Sequence, residues 1–483
     1  MFVLPLGPYR YLFRMSELLC PGCRDRDAVI ADLQRQVADL VARVLDLEAR
    51  LGTNASNSSL PPSANPPQAP PPVHKRKSPR RPGGQPGHPP HLKTLLPPER
   101  VTTVTTFVPN HCERCHAPLP VAPGPGDPEP TRFQTIELPP VAAVVTEYQG
   151  HARTCRCCGH ITHAALPLDR KAHVVGPRFS ATLSYLTGGH GLSKRGVAEI
   201  AAAVFDAPVS LGTVANLERE MSAALVAAHQ EAVAAVRAAA VKGADETSWK
   251  QAGKLCWLWA AATTGVAAFA IHTGRGLLGL AALLGEAIEG ILWSDRWHVY
   301  NQVPAARRQI CWAHLKRDFQ KIIDRGGPSA AVGRKGRALV KKVFAAWHTF
   351  QDGRCTREQF QATLAPLERR MSRVLIEGFC GEDPSVEALC DNLLRIEEAL
   401  WTFAKTPGIE PTNNLMERLL RRAVLWRKRS FGSWSVSGCR FIERILTVVQ
   451  TRRLQNQSVL SYLHDALVAH RTGQPCPRLL PQG

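Results

Sequence analysis

The stretch Gly290-Ile291-Leu292-Trp293-Ser294-Asp295 decides the fold, because a short apolar run here ends on a carboxylate. Such a run after a glycine predicts a buried β-strand with the acid at its tip. The sequence around it predicts strands at 239–243, 255–262, 266–272 and 308–312, and a helix at 276–287. The predicted order is strand, strand, strand, helix, strand, helical connection, strand.

This order is that of an RNase H-like mixed sheet, in which the first and fourth strands are neighbours. Asp245 lies just past the first predicted strand and Asp295 at the tip of the fourth, so both carboxylates are expected to reach one pair of metal ions. Glu246 is expected to face away from Asp245, since successive side chains of a strand alternate between faces. The predicted fold class is multidomain α/β, with a catalytic domain at 238–455.

A third acid follows a long helical stretch. Residues 321–404 are mostly helical and charged, which predicts a helical insertion within the catalytic domain. After it, Pro411 and the pair Asn413-Asn414 predict the start of a helix that carries Glu417 near its first turn.

Three carboxylates are suitable ligands for Mg²⁺ or Mn²⁺, which bind oxygen. Two such ions about 3.5–4 Å apart can activate a water or a 3′-hydroxyl and stabilise the leaving oxygen. We expect Asp295 to bridge both ions and Asp245 and Glu417 to hold one each. The alternative is that all three are ordinary surface acids at strand and helix ends.

The charge balance indicates a polyanionic partner. Net charge is +20 and the isoelectric point is about 9.7, and each phosphate that a cation neutralises releases counterions. Nucleic acid is therefore the expected partner, the alternative being a generically basic soluble protein.

Cysteine spacing predicts metal sites rather than disulfides. Six of the 14 cysteines form three C-x-x-C pairs, Cys20/Cys23, Cys112/Cys115 and Cys155/Cys158. The later two pairs predict a zinc ribbon at 106–168, with strands at 133–138 and 142–148 between them and Zn²⁺ on the four thiolates. Cys157 is expected to be a spare thiol, and three histidines lie close enough in sequence to substitute as ligands: His111, His116 and His160. Cys20/Cys23 could bind metal across a dimer or be free thiols.

The N-terminal segment, 1–51, carries a heptad seam that predicts a coiled-coil helix and a homo-oligomer. The seam consists of Ile30, Leu33, Val37, Leu40, Val44, Leu47 and Leu51. The alternative is a helix packed on its own chain.

Residues 52–105 form a Pro-rich linker that cannot bury a core. Its cations suit phosphate contacts, unless it is merely a solvated linker: Lys75, Arg76, Lys77, Arg80 and Arg81.

Residues 169–237 are predicted to be helical. Ser193 and Ser210 are good helix N-caps on either side of an Asp-Ala-Pro turn. Val197, Ile200, Ala201 and Val204 are expected on one face of the first helix. Two helices around a tight turn indicate a helix-turn-helix-like DNA-binding domain using Lys194 and Arg195, or a plain scaffold. Residues 456–483 are expected to be a C-terminal tail.

No membrane or export segment is expected. The uncharged run at 255–271 is broken at Thr263-Thr264-Gly265, which favours a strand hairpin over a transmembrane helix. Arg10 and Arg14 interrupt the apolar N-terminus, which argues against a signal peptide. The expected location is the bacterial cytoplasm, in association with the nucleoid.

Several motifs together resemble those of the bacterial insertion-sequence-sixty-six transposase family, nearly end to end. The motifs are 51–59 (LGTNASNSS), 82–88 (PGGQPGH), the later two cysteine pairs, 245–249 (DETSW), 294–297 (SDRW), 311–318 (CWAHLKRD), 411–418 (PTNNLMER), 426–428 (WRK) and 430–432 (SFG). The resemblance implies a DDE transposase with a leucine-zipper-like start, a zinc-binding domain, a helical domain and a catalytic domain with a helical insertion. It assigns Asp245, Asp295 and Glu417 as the triad.

The resemblance also leaves points open. Cys311 and His314 match a C-x-x-H motif that could bind metal or position the site by packing. Val424 stands where the family often has a basic residue, so Arg418, Arg421 or Lys428 would contact phosphate instead. The expected partner is DNA, both transposon ends and target, and a need for helper proteins stays open. The competing hypotheses are a catalytically silent DNA-binding relic and an RNase H-like nuclease.

Overall fold

The computed structural model describes residues 29–30, 32–41, 43–44, 95–165 and 173–481. The strands are β1 Ala152–Thr154, β2 Ile161–His163, β3 Val241–Gln251, β4 Lys254–Ala262, β5 Ala267–His272, β6 Ile291–Ser294 and β7 Arg308–Ile310. The helices are α1 Pro177–His190, α2 Lys194–Phe205, α3 Leu211–Ala224, α4 Val226–Ala238, α5 Leu277–Leu284, α6 Trp312–Arg325, α7 Ala330–Gln351, α8 Arg357–Phe379, α9 Pro384–Arg395, α10 Thr402–Lys405, α11 Asn414–Ser430, α12 Val436–Leu454 and α13 Val459–Thr472. No helix among the described residues is long and apolar enough to cross a membrane.

The chain divides into two units. One comprises Met1–Arg76 and Ser294–Asn413, and the other comprises Lys77–Trp293 and Asn414–Gly483. We call the first the insertion unit and the second the sheet unit.

The sheet unit contains the mixed sheet that the sequence predicts. β5, β4 and β3 form an antiparallel meander, and β6 pairs with β3 in parallel over Val241–Gly243 and Ile291–Trp293. The first and fourth strands of the sheet are therefore neighbours, as expected. The predicted helix between β5 and β6 is present as α5, whereas two short 3-10 turns take the place of the helix expected before β7.

Helix α12 covers the free edge of β5. The backbone N–H groups of Ala267, Phe269 and Ile271 donate to side chains of α12 at 2.7–3.1 Å. Those acceptors are Thr451, Thr447 and Glu443. Four helical residues rise about 6 Å and two strand residues about 6.6 Å, so the two rows match in repeat. The helix thus satisfies an edge that would otherwise pair with another chain.

The helix-turn-helix-like pair forms as predicted, with one exception. Ser193 and Ser210 cap α2 and α3 through side-chain acceptors, and the apolar faces join one core: Leu183, Val197, Ala201, Val214 and Leu217. Val204 does not join it, because this side chain is 51% exposed. Ile200 is half-buried.

The expected C-terminal tail is instead part of the helical core of the sheet unit. Helix α13 packs on α1 and α3, with Tyr462 and Leu463 buried. Arg471 donates to both carboxylate oxygens of Glu220 at 2.8 Å. The apolar spacing of α13 therefore marks a packed helix, and the expectation of a tail at 456–483 was wrong.

The insertion unit is a helical body, and its helices begin earlier than the predicted 321. Helix α6 starts at Trp312, directly after β7. An aromatic cluster joins α6, α7, α8 and α10, with ring centroids 4.8–6.4 Å apart. Its members are Trp312, Trp347, Phe350, Phe360, Trp401 and Phe403. The insertion unit therefore has an aromatic core of its own.

Residues 95–165 differ from the predicted zinc ribbon. The strands expected at 133–138 and 142–148 do not form, and the only ladder in this segment is the β1–β2 hairpin. Apolar side chains here, such as Phe107, Phe133 and Val144, are 87–96% exposed. Without a partner surface, their alternation is not enough to make strands.

Candidate active site

Asp245 lies within β3 rather than after it. The strand continues to Gln251 because its polar second half pairs in register with β4, with Asp245 opposite Ala260. The side chain is half-buried, and its Oδ1 accepts the N–H of Glu246 at 2.9 Å.

Glu246 occupies the opposite face of β3, as expected from strand alternation. Its side chain is 1% exposed and accepts two hydrogen bonds from Arg275, at 2.8 and 3.0 Å. The Arg275 guanidinium also lies over the Trp257 ring. Glu246 is thus a buried structural anion, tied into the sheet.

Asp295 directly follows β6, and two hydrogen bonds from residues that follow it in the chain hold it in place. Its Oδ1 accepts the N–H of Trp297 at 2.9 Å, and its carbonyl accepts Arg308 Nη2 at 3.3 Å. Arg308 is fully buried and also donates to Asn301 at 2.7 Å. Burial lowers the pKa of Arg308 to about 10, while the nearby charge of Asp295 opposes that shift.

Arg308 is a positioning residue that sequence reasoning missed. A buried guanidinium costs free energy unless it is hydrogen-bonded, and here it fixes the backbone from which Asp295 projects. The available signal was a charged residue opening the apolar strand 308–312. Its partners are seven and thirteen residues away in sequence, which spacing alone does not show.

Cys311 and His314 behave as packing residues in the insertion unit. Cys311 Sγ accepts the N–H of Asn413 at 3.2 Å, and the carbonyl of Pro411 accepts the N–H of Trp312 at 2.8 Å. These bonds fasten the segment before α11 to the start of α6. Burial lowers the pKa of His314 to about 4, so this imidazole is neutral. The contacts of Cys311 favour the packing interpretation for this residue, whereas the buried Nδ1 of His314 has no hydrogen-bond partner among the described residues.

Glu417 lies in the first turn of α11, as the cap residues predict, and is exposed. The opposite face of the helix is buried through Met416, Leu419, Leu420 and Ala423. Burial of this face orients Glu417 away from the helical core.

Helix α11 packs on β3. Arg427 near its end donates to Thr247 and Ser248, and Ser433 just beyond it donates its N–H to the Lys250 carbonyl at 2.8 Å. These contacts fasten the C-terminal end of α11 to the second half of β3.

The donor chemistry of these acids fits a hard divalent cation, which binds oxygen ligands. In the described part of the chain, however, no group of three or more histidine, cysteine, aspartate or glutamate residues is close enough to hold a metal ion. That finding applies equally to the acids of the predicted triad and to the paired cysteines.

The two later cysteine pairs form nearly identical turns. In each, the N–H of the first cysteine donates to the carbonyl five residues on, and its own carbonyl accepts the N–H four residues on. Each turn also has a positive φ at that fourth residue, His116 or Gly159. The backbone N–H groups of Cys115 and Arg114 lower the pKa of the Cys112 thiol, and those of Cys157 and Cys158 lower that of Cys155. Each turn is therefore suited to hold a thiolate.

The predicted DNA-contacting cations have different environments. Arg418, Arg421 and Lys428 are exposed on α11. Lys194 is paired with Glu218 at 2.9 Å, whereas Arg195 is exposed. The five linker cations at 75–81, and Cys20/Cys23, lie outside the described residues.

A shallow basic groove on the insertion unit was not predicted. Helix α7 contains no acidic residue, and four cations of α7 and α8 line the groove around Leu339 and Val374: Lys335, Lys342, Arg370 and Arg373. Lys335 is paired with Glu377. The remaining three present an anion-attracting surface.

Two family models match separate stretches of the chain. A family model described as the transposase IS66 family matches residues 173–440, more than half of the 483 residues. A second model, a family of unknown function, matches residues 17–94.

The chain is also similar to the uncharacterized protein y4qI of Sinorhizobium fredii. The two are 25% identical over 253 residues, which covers 46% of this chain and 45% of that protein. The chain thus spans less than half the length of this relative.

Proposed function

The chain belongs to the transposase IS66 family, and we propose that it binds the ends of an insertion sequence and catalyses metal-dependent strand cleavage and strand transfer. The proposed catalytic residues are Asp245, Asp295 and Glu417, in a domain of the RNase H-like type. The proposed partners are the transposon ends and a target DNA, with the protein located in the bacterial cytoplasm.

The observation that carries this proposal is the parallel pairing of β3 with β6. Gly243 is the register partner of Trp293. Asp245 stands two residues after Gly243 within β3, and Asp295 stands two residues after Trp293, just past the end of β6. Helix α11, which packs on β3, carries Glu417 in its first turn, in the same unit as Asp245.

Two divalent ions would supply activation of the attacking oxygen and stabilisation of the leaving oxygen. In this proposal the three carboxylates hold them, and exposed cations orient the DNA through phosphate contacts. Arg418, Arg421 and Lys428 belong to that group, as do Lys194 and Arg195 and the cations of the linker. Arg308 donates to the Asp295 carbonyl and so restrains the backbone that carries this acid.

The remaining parts of the chain serve assembly in this proposal. Residues 106–168 form a zinc-binding domain on Cys112, Cys115, Cys155 and Cys158, and 169–237 a DNA-binding helical domain. The N-terminal helix joins two copies of the chain.

Metal dependence separates a transposase from a silent relic. Labelled DNA carrying the ends of the element should be cut in Mg²⁺ or Mn²⁺ and remain intact in EDTA, because no carboxylate alone activates the attacking oxygen. Joining of the cut end to a second DNA distinguishes a transposase from an RNase H-like nuclease, which would only cut. Tight end binding with no cutting in either metal would favour the relic.

Dimerisation through the N-terminal helix is a separate expectation. The described seam side chains Ile30, Leu33, Val37 and Leu40 are 51–58% exposed, a row of apolar surface that a second copy would bury. Val37→Asp with Leu40→Asp should convert dimers to monomers in sedimentation equilibrium. The paired surface changes Arg35→Ala and Gln36→Ala should leave the mass unchanged. An unchanged mass in the double aspartate variant would mean that the seam has another partner.

A further inference from the structure

The turn between α11 and α12 exposes two large aromatic rings. Phe431 is 79% exposed and Trp434 is 85% exposed, three residues apart in one short segment. Aromatic side chains normally contribute to cores and interfaces. Two exposed rings on one turn therefore indicate a binding surface. We call residues 430–435 the aromatic turn.

The aromatic turn is fastened to the β3–β4 hairpin. Ser433 donates its N–H to the carbonyl of Lys250 and accepts the N–H of Ala252, both at 2.8 Å. Trp249 Nε1 donates to Ser433 Oγ at 3.1 Å. At Gly432, φ is +111° and a Cβ atom would lie 2.2 Å from the Lys250 carbonyl oxygen. The rings are thus presented from a fixed backbone.

Phe431 adopts a left-handed backbone conformation, with φ of +59°. This conformation is unfavourable for a bulky side chain and typical of glycine or asparagine. Strain of this kind is concentrated at functional sites. Because the ring is exposed, packing within the protein does not explain why phenylalanine stands here.

The charge around the turn is strongly positive. Between Glu417 and Glu443 there are seven cations and no acid. Arg427 is committed to β3, but Lys428 and Arg429 are exposed beside the turn, as are Lys250 and Lys254 on the hairpin. Such a surface repels a second copy of this basic chain and attracts phosphate.

We propose that the aromatic turn binds unpaired DNA, with Phe431 and Trp434 stacking on successive bases and the adjacent lysine and arginine side chains contacting the phosphates. Aromatic rings within a positive surface are the usual means of binding single strands without reading sequence. The proposal rests on the proposed function, since cleavage and joining of ends create unpaired nucleotides. It adds a single-strand site that is separate from the three carboxylates.

The test compares single-stranded and double-stranded DNA on the full-length protein. Fluorescence anisotropy is measured at one fixed salt concentration with a thymidine oligonucleotide of about 20 nucleotides, longer than one such site requires, and with a blunt duplex of equal length. Trp434→Ala should weaken binding to the single strand about tenfold, the loss expected for one stacked base. Trp434→Phe should retain most of the affinity, and binding to the duplex should change less than about twofold in both variants.

Two controls exclude general effects. Val436→Ala removes a 59% exposed apolar side chain close to the turn and should leave both affinities unchanged. Quenching of a 2-aminopurine base placed in the oligonucleotide should be seen with the wild-type protein and be reduced in Trp434→Ala. Loss of quenching with an unchanged thermal unfolding curve supports stacking directly.

Equal affinity of wild type and Trp434→Ala for the single strand would overturn the inference. So would a change in sedimentation mass of Trp434→Ala, which would make the turn a protein interface. A wild-type protein that binds the single strand but not duplex ends would contradict the proposed function while supporting the stacking site.

Discussion

Replacing Asp245 or Asp295 by Asn, or Glu417 by Gln, is expected to reduce strand transfer about a thousandfold or more, with binding of DNA ends close to wild type. A bound metal contributes several kcal/mol of charge stabilisation to such reactions, and each 1.36 kcal/mol is a factor of ten in rate. Each substitution removes one anionic ligand and preserves side-chain shape. End binding is expected to tighten slightly, because a negative charge near phosphate is lost.

The measurement is transfer of a labelled end in Mg²⁺ and in Mn²⁺, beside binding of the same end in EDTA. Glu286→Gln is a suitable control, because Glu286 is exposed and lies after α5. Glu246 and Glu443 are unsuitable. Glu246 is a buried partner of Arg275, and Glu443 holds both the Ile271 N–H and Arg440. A glutamine at either position would weaken folding rather than test chemistry.

Wild-type transfer by any of the three triad variants would remove that residue from the assignment. Loss of transfer together with loss of end binding would instead point to misfolding, which thermal unfolding of the same preparation would show. Glu286→Gln should transfer at the wild-type rate in both metals.

The sheet was predictable because its signals are local. Apolar runs bounded by Thr263-Gly265 and Gly290 placed β4, β5 and β6 to within a few residues, and chain order was enough to make β3 and β6 neighbours. The residues at 411–414 predicted the start of α11, and Glu417 lies in its first turn as predicted. These features depend on turn and helix chemistry that acts within a few residues.

The extent of β3 was not predictable from its own residues. The run Asp245-Glu246-Thr247-Ser248 lacks the apolar pattern of a strand. It is extended because β4 pairs with it, Arg275 neutralises Glu246, and Arg427 binds its other face. Those partners come from distant parts of the chain, and such tertiary contacts override local propensity.

The strands predicted at 133–138 and 142–148 did not form, for the opposite reason. There the local pattern was right for strands, but among the described residues neither segment forms a ladder with another strand. Helix α13 illustrates a third case, since Val459, Tyr462, Leu463, Ala466 and Leu467 are spaced as one helical face. The apolar pattern of a helix was present in the sequence, and the structure shows that this face packs on α1 and α3.

The second large effect concerns zinc. Purified protein is expected to contain about one zinc ion per chain on Cys112, Cys115, Cys155 and Cys158, since four thiolates make a closed structural site. Both turns already direct backbone N–H groups at a cysteine sulfur, which lowers the thiol pKa. The apolar side chains of 104–148 are largely exposed, so this segment has little core of its own. Metal binding would then supply much of its folding free energy, about 10–16 kcal/mol for structural zinc.

Cys155→Ser should reduce zinc to near zero by elemental analysis, and it should make residues 101–165 sensitive to limited proteolysis. Cys157→Ser is the matched control, because Cys157 lies in the same turn, is exposed, and is not one of the four ligands in this assignment. It should leave both zinc content and proteolysis unchanged. If Cys155→Ser kept its zinc while Cys157→Ser lost it, Cys157 would be the ligand in the second turn. If neither change reduced the zinc, the metal would have to sit elsewhere, and the two matching turns would be backbone motifs without a shared ion.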